Sequence, residues 1–433
     1  MTRDYLTSIS PDSTSGIIFA MESVSNGTTL LNGPTGCKFY HGAVADYKRA
    51  FFHNLNPLDF PDKYYFGQPR VPCTFLDKRD YVYGSSEKLI EGLRFIEERG
   101  ESEFVAIVNT PGAALIGDDL EGIITKSQVK LPVLAVESPG FSEGFITGYK
   151  AGLIRLISYF TKVSKKEKVI DDWVNILGLS IYDNYSQGDK DEIKRLLSLC
   201  GININCFLGC DADIEQIKNV GKAKLNVVID KNYGLDIANV LKERLNTPYY
   251  CCMGVPVGFS PMESMIKDVC AILNKSPKPA LEEIARARKR NYMCLARFSS
   301  ITGLPAMALF SLEGSWCQVF GYASFLMEYL GMIPACISIK EAKHTEGREE
   351  LIKLLEKYKC REALDKDILK APCEILLADG NTISRYKLSG VKFSGIEISL
   401  PGIGYTNIIP KTHLGAAGGM LLTEQIINGI RYD

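Results

Sequence analysis

One unit recurs along the chain: a short apolar run rich in β-branched residues, a loop carrying Gly or Asp, then an amphipathic helical stretch. Strands that are apolar on both sides need helices on both faces, so this repetition predicts parallel sheets joined by helical crossovers. In the first third, Phe104 to Val108 (FVAIV) reads as a buried strand, Asn109 to Gly117 as a loop, and Asp118 to Ser127 as a helix. Asp118 and Asp119 suit the positive end of that helix. Leu131 to Ser138 is the next strand. A charged stretch, Ser164 to Lys168, precedes a second set of strands at VNILGLS, INCFLG and LNVVID, with helices such as DKDEIKRLLSLC between them. The polar helix Pro279 to Arg290 then leads to a third set at AMALFS, IPACISI and CEILLA. At roughly 150 residues per domain, 433 residues divide into about three. The expected fold is α/β, with three doubly wound Rossmann-like domains over 1–165, 166–290 and 291–433, each a mostly parallel sheet flanked by helices.

Composition narrows the function. Fifty Lys and Arg against 51 Asp and Glu leave a net charge of -1, with no basic stripe to neutralise many phosphates, so nucleic acid is not an expected partner. No apolar stretch approaches the roughly 18 residues needed to span a bilayer, and the start has no basic-then-apolar signal pattern. A cytoplasmic location follows as the expectation, with no membrane partner. The 13 cysteines are then thiols. Most sit in apolar surroundings, as Cys200, Cys206, Cys210 and Cys270 do, where a thiol behaves as a small hydrophobe. No CxxC, GxGxxG, Walker loop, HExxH or GxSxG occurs, and the four histidines, His41, His53, His344 and His413, are scattered.

Ligands of such sheets collect at the carboxyl ends of strands, so the loops there are the places to look. In NGPTGCKFYHG, Asn32 to Gly42, glycines 33, 36 and 42 surround Cys37 and permit close backbone approach to something bulky. Cys73 follows Pro69 and Pro72, whose fixed φ aims its thiol. Either cysteine reads as a metal-cluster ligand or as a packed thiol in a turn. GAAGGM, Gly415 to Met420, reads as close helix packing or as anion approach to a helix entrance. Ser315 reads as a helix cap, with Trp316 and Cys317 in the core. Cys251 and Cys252 point to opposite sides if extended.

The order GPTGC, a Pro-flanked cysteine, YGSSEKLIEGLRFI, NTPGAALIGDDLEGII and VESPGFSEGFITGY resembles the amino-terminal domain of nitrogenase component 1 subunits and their relatives. Those relatives include the cofactor-assembly scaffold pair, the dark-operative protochlorophyllide and chlorophyllide reductases and the nickel-tetrapyrrole reductive cyclase. The likeness continues through LNTPYYCCMGVPVGFSPMESMI, GLPAMALFSLEGSWCQVFGYASFL and KTHLGAAGGMLLTEQII, and so spans nearly the whole chain. It implies an oxidoreductase subunit that takes electrons from an ATP-dependent iron-protein reductase through an intersubunit 4Fe-4S cluster, with Cys37 and Cys73 as metal ligands. The substrate is open. The alternative it implies is a non-catalytic scaffold for assembling an iron–sulfur metallocofactor. Pro111 stands where the family's third cysteine usually falls, so the remaining ligands have to come from a paralogous component 1-like subunit or from a second copy of the chain. Asp230 stands where the family's metallocofactor has its cysteine, and His413 lies near the place of its histidine.

Overall fold

The computed structural model describes residues 11–42, 71–137, 144–161, 168–340, 347–364, 366–399, 402 and 408–430. His53, His344, Pro69 and the expected division at 165/166 lie outside them. Three parallel sheets follow one another along the chain. The first holds β1 (Gly27–Asn32), β2 (Phe104–Asn109) and β3 (Val133–Glu137), in that order. The second runs β5-β4-β6-β7, where β4 is Ile170–Leu177, β5 Asn203–Phe207, β6 Ala223–Val228 and β7 Tyr249–Cys251. The third runs β11-β10-β8-β9, where β8 is Leu309–Gly314, β9 Ile333–Ile339, β10 Ile375–Asp379 and β11 Ser394–Ser399. Every pairing between these strands is parallel, so each connection crosses a face of its sheet.

The apolar runs became strands because they are covered twice. β2 is buried along its whole length: Phe104, Ala106 and Val108 face one core cluster and Val105 and Ile107 another, built with Leu89 and Leu93 of the Ser86–Arg99 helix. The larger cluster runs from Ile17 to Ile430 and joins all three sheets. Helices knit the units together. Ser13–Glu22, all ten residues buried, lies against Phe145–Phe160, and from the latter the Tyr149 hydroxyl donates to the carbonyls of Leu179 and Gly209 in the second unit, at 3.2 and 2.9 Å. Lys278–Thr302 is longer than expected, 25 residues without a break, so the expected division at 290/291 falls inside it. Its Asn291 amide donates to Thr423 on the Gly415–Gly429 helix and to the Tyr329 hydroxyl, at 2.9 and 3.1 Å. Among the described residues no helix is long and apolar enough to cross a membrane.

Two expected loops hold helical turns. Thr35–Cys37 is a one-turn helix that continues into a π turn, Lys38–Gly42, and Pro111–Ala114 starts another, where Thr110 accepts from the Ala113 amide and Pro111 needs no partner for an N–H it lacks.

Candidate functional site

The carboxyl end of β1 carries both cysteines singled out by the sequence. β1 ends at Asn32, and Cys37 lies in the first turn beyond it. Cys73 is brought alongside by its own backbone rather than by a loop. The Leu31 amide donates to the Pro72 carbonyl at 2.8 Å, the Thr74 amide donates to Leu31 at 3.0 Å, and Leu31 and Cys73 form a parallel bridge. Side chains at the strand ends hold this arrangement. The Asn32 side-chain amide donates to Asn109 at the end of β2 (2.9 Å) and to Ser85 (3.1 Å), while the Thr74 hydroxyl donates to Asn32 Oδ1 at 2.8 Å. Asp118 accepts from the amide and hydroxyl of Ser85, and Asp119 caps Leu120–Ser127 by accepting from the Gly122 amide at 3.0 Å. Gly33 is required by packing: a Cβ there would stand 2.7 Å from the Thr110 methyl. A Cβ on Gly36 would meet nothing, so that glycine borders open space.

The two thiols differ. Cys37 is half-buried. Cys73 is 9% exposed and its thiol donates to the Gly33 carbonyl at 3.1 Å. Burial pushes the Cys73 pKa up to about 11; Lys38, itself buried, pulls the other way, and the neighbouring Cys37 adds to the rise. His41 stands beside them. Its Nδ1 lies 3.1 Å from Asp12 Oδ1 and 3.1 Å from Ser15 Oγ. Burial alone would lower its pKa, but the hydrogen bonds to Asp12 and to Cys37 and their charges outweigh that and raise it to about 9. Burial, and then the nearness of Cys37 and Cys73, raise the Tyr81 pKa, and its hydroxyl oxygen would be 3.2 Å from a Cβ on Gly112, the residue after Pro111. Asp12, Ser15, His41, Lys38 and Tyr81 were not picked out by the sequence. Their positions relative to Cys37 come from packing between separate segments, and no local motif marks them. Among the described residues no group of three or more His, Cys, Asp and Glu could hold a metal ion by itself.

Several apolar side chains on the same segments are exposed. Tyr81, Val82 and Tyr83 are 41%, 72% and 82% exposed, Leu115 is 88% exposed, and Phe39 and Tyr40 are each 44% exposed.

The second place indicated by the sequence is closed. Asp230 is a buried N-cap that accepts from the Asn232 amide at 2.8 Å. His413 is 1% exposed, with Nδ1 2.8 Å from the Tyr322 hydroxyl and Nε2 2.7 Å from the Gln425 amide oxygen, so both ring nitrogens are engaged. The space that Asp230, Tyr322 and His413 share is a cavity of about 40 Å³, close to one water molecule. Among the described residues this space is too small for a resident metallocofactor of many atoms. Burial lowers the His413 pKa to about 4, which keeps the ring neutral in the fold. Between pH 6.5 and 4 the unfolded chain binds a proton there that the folded chain refuses, so stability falls as the pH drops through that window. We expect His413→Gln to flatten this dependence by on the order of 2 kcal/mol, read from urea midpoints at pH 7, 5.5 and 4.5.

GAAGGM proves to be both packed and capped. A Cβ on Gly419 would stand 2.7 Å from the Phe259 ring, and the amides of Ala416 and Ala417 donate to the buried Glu192 carboxylate, so the anion at this helix entrance is the protein's own. Ser315 caps its helix in a capping box with Gln318, and Trp316, Cys317, Cys200, Cys206, Cys210 and Cys270 are buried as expected.

The fold has close counterparts among solved structures. It superposes on nitrogenase Cp1 at pH 6.5 with a TM-score of 0.77 and 15% identity, covering 98% of this chain and 92% of that one. Among curated sequences it is similar to a light-independent protochlorophyllide reductase chain of a Nostoc species, 24% identical over 212 residues that make up 47% of this chain and 41% of the relative. It is also similar to the nitrogenase iron-molybdenum cofactor biosynthesis protein NifE of Rhodobacter capsulatus, 26% identical over 325 residues, 71% of this chain and 66% of the relative. The match therefore spans less than half the length of the first relative and about two thirds of the second. Residues 13–431 match the profile of the nitrogenase component 1 type oxidoreductases, so this chain of three consecutive parallel sheets belongs to that family.

Proposed function

We propose that the chain is a nitrogenase component 1-like oxidoreductase subunit that receives electrons from an ATP-dependent iron-protein-like reductase, by way of a 4Fe-4S cluster shared with a neighbouring subunit, and passes them to a substrate. The observation that carries this reading is the meeting of Cys37 and Cys73 at the carboxyl end of β1. Two thiolates fit half of a four-ligand set. A thiol as buried as Cys73, held protonated by desolvation, is a poor nucleophile at neutral pH, whereas a metal displaces its proton. One-electron storage is the chemistry such a cluster supplies when bound. The chain's own residues do the rest: Cys37 and Cys73 ligate, Lys38 and His41 bring positive charge to the thiolates, and Asp12 and Ser15 orient the imidazole. The exposed Tyr81, Val82, Tyr83 and Leu115 are apolar surface that a neighbouring chain, paralogous or a second copy, would cover.

Iron and acid-labile sulfide per chain, with electron paramagnetic resonance of the anaerobic protein, test the ligand set. Cys37→Ala and Cys73→Ala should each lose at least nine tenths of the cluster signal while the fold is kept. Retention of the signal in both variants rejects the assignment.

The greater coverage of the NifE relative favours a second reading, an assembly scaffold that holds a metal cluster for transfer. The purified complex with reductase protein and ATP would separate the two: consumption of reductant belongs to the oxidoreductase, donation of metal to an apo-enzyme without such consumption to the scaffold.

A further inference from the structure

A cavity of about 580 Å³ lies between the second and third sheets, and none of its lining belongs to the Cys37 and Cys73 neighbourhood. This is within the size range of sites that enclose small organic molecules. Its floor is the end of β7 and the residues that follow; one wall is the Phe259–Ile272 helix and the other is the end of the Trp316–Ser324 helix with the π turn Phe325–Tyr329.

Two features of the lining select a ligand. The first is aromatic. Phe259, Phe325 and Tyr329 form a cluster with ring centroids 5.2 to 6.3 Å apart, and Phe320 and Tyr250 line the same space. The Phe259 ring already attracts a cation, since the Arg288 guanidinium sits 5.5 Å from its centroid. The second is charge. Arg288 is balanced by Glu263 at 3.0 Å, and Glu328 by Lys357 at 2.8 Å. What is left on the lining, among the described residues, is Asp268, which accepts from the Tyr250 hydroxyl at 3.0 Å, and Glu350, against the ammonium of Lys231. Negative ring faces and an excess of carboxylate over ammonium both disfavour an anion and favour a positive guest.

We propose that this cleft is a binding site for an organic cation, an ammonium or quaternary ammonium group on an apolar body. The cation meets ring faces and the Asp268 and Glu350 carboxylates, and the apolar body fills the space beside Phe320. The site stands independently of the cluster reading: its binding needs neither iron nor reductase.

The probe is benzyltrimethylammonium, titrated calorimetrically into the full-length protein, with phenylpropionate as an anion of similar size. The cation should bind with 1:1 stoichiometry and the anion should bind at least tenfold more weakly. Glu350→Gln should weaken the cation about fivefold, and Lys231→Met should strengthen it. Cys37→Ala should bind it as the wild type does, which separates failure here from failure of the cluster assignment. Absence of binding, tighter binding of the anion, or an affinity unmoved by Glu350→Gln overturns the proposal.

Discussion

Gly148→Ala should fail to accumulate as folded protein, or should unfold with a loss of more than about 3 kcal/mol. The reason is the closeness of two helices. Ser13–Glu22 and Phe145–Phe160 cross where Gly148 faces the backbone of Ser13 and Gly16 faces the backbone of Phe145, and a Cβ at either glycine would overlap a carbonyl oxygen. Backbone cannot rotate away as a flexible side chain can. The helices would have to separate, and with them the Tyr149 hydroxyl would leave the carbonyls of Leu179 and Gly209. Gly144→Ala is the control. A Cβ at Gly144 meets nothing within contact distance, so its urea midpoint should stay within about 0.5 kcal/mol of wild type. Equal behaviour of the two variants would show that the helices have room to move apart.

Glu192→Ala should cost about 3 to 5 kcal/mol, measured by urea unfolding, a penalty of the kind found when one partner of a buried charge contact is removed. The Glu192 carboxylate is 4% exposed. Its Oε1 accepts from the amides of Ala416 and Ala417 at 2.8 and 3.1 Å, and its Oε2 from Arg195 at 2.8 Å. Removing it leaves two helix-end amides without an acceptor in a buried place and frees Arg195 except for its contact with Glu283 at 2.9 Å. Glu192→Gln keeps one acceptor oxygen but no charge to oppose the helix end, so its loss should be roughly half as large.

Much of the architecture was legible because parallel strands advertise themselves. FVAIV in β2 and ILLA in β10 are continuous apolar runs, as strands covered on both faces must be, and β6 is broken only by Lys224 and Asn226. β1 escaped notice since its sequence, GTTLLN, dilutes two leucines with a glycine and two threonines, although all six residues are buried. β7, with three half-buried residues, is too short to show a period. The Pro279 to Arg290 helix was recognised but cut short, because the sequence from Asn291 to Thr302 has few buried positions to mark its face. At the candidate site the two cysteines stood out through their glycine and proline neighbours. Asp12, His41 and Tyr81 did not, since what makes each relevant is a neighbour from another segment: Ser15 and Cys37 for the imidazole, Gly112 for the phenol. The closing of the space around His413 was equally hidden, because Tyr322 and Gln425, which occupy its two nitrogens, sit on separate helices.

The unbroken run from Lys278 to Thr302 has a mechanical corollary. One end of this rod serves the second sheet and the other leads directly into the third, while Asn291, midway, is pinned to Thr423 and Tyr329. A continuous helix reaching from one sheet to the next, cross-linked at its middle, resists bending between them.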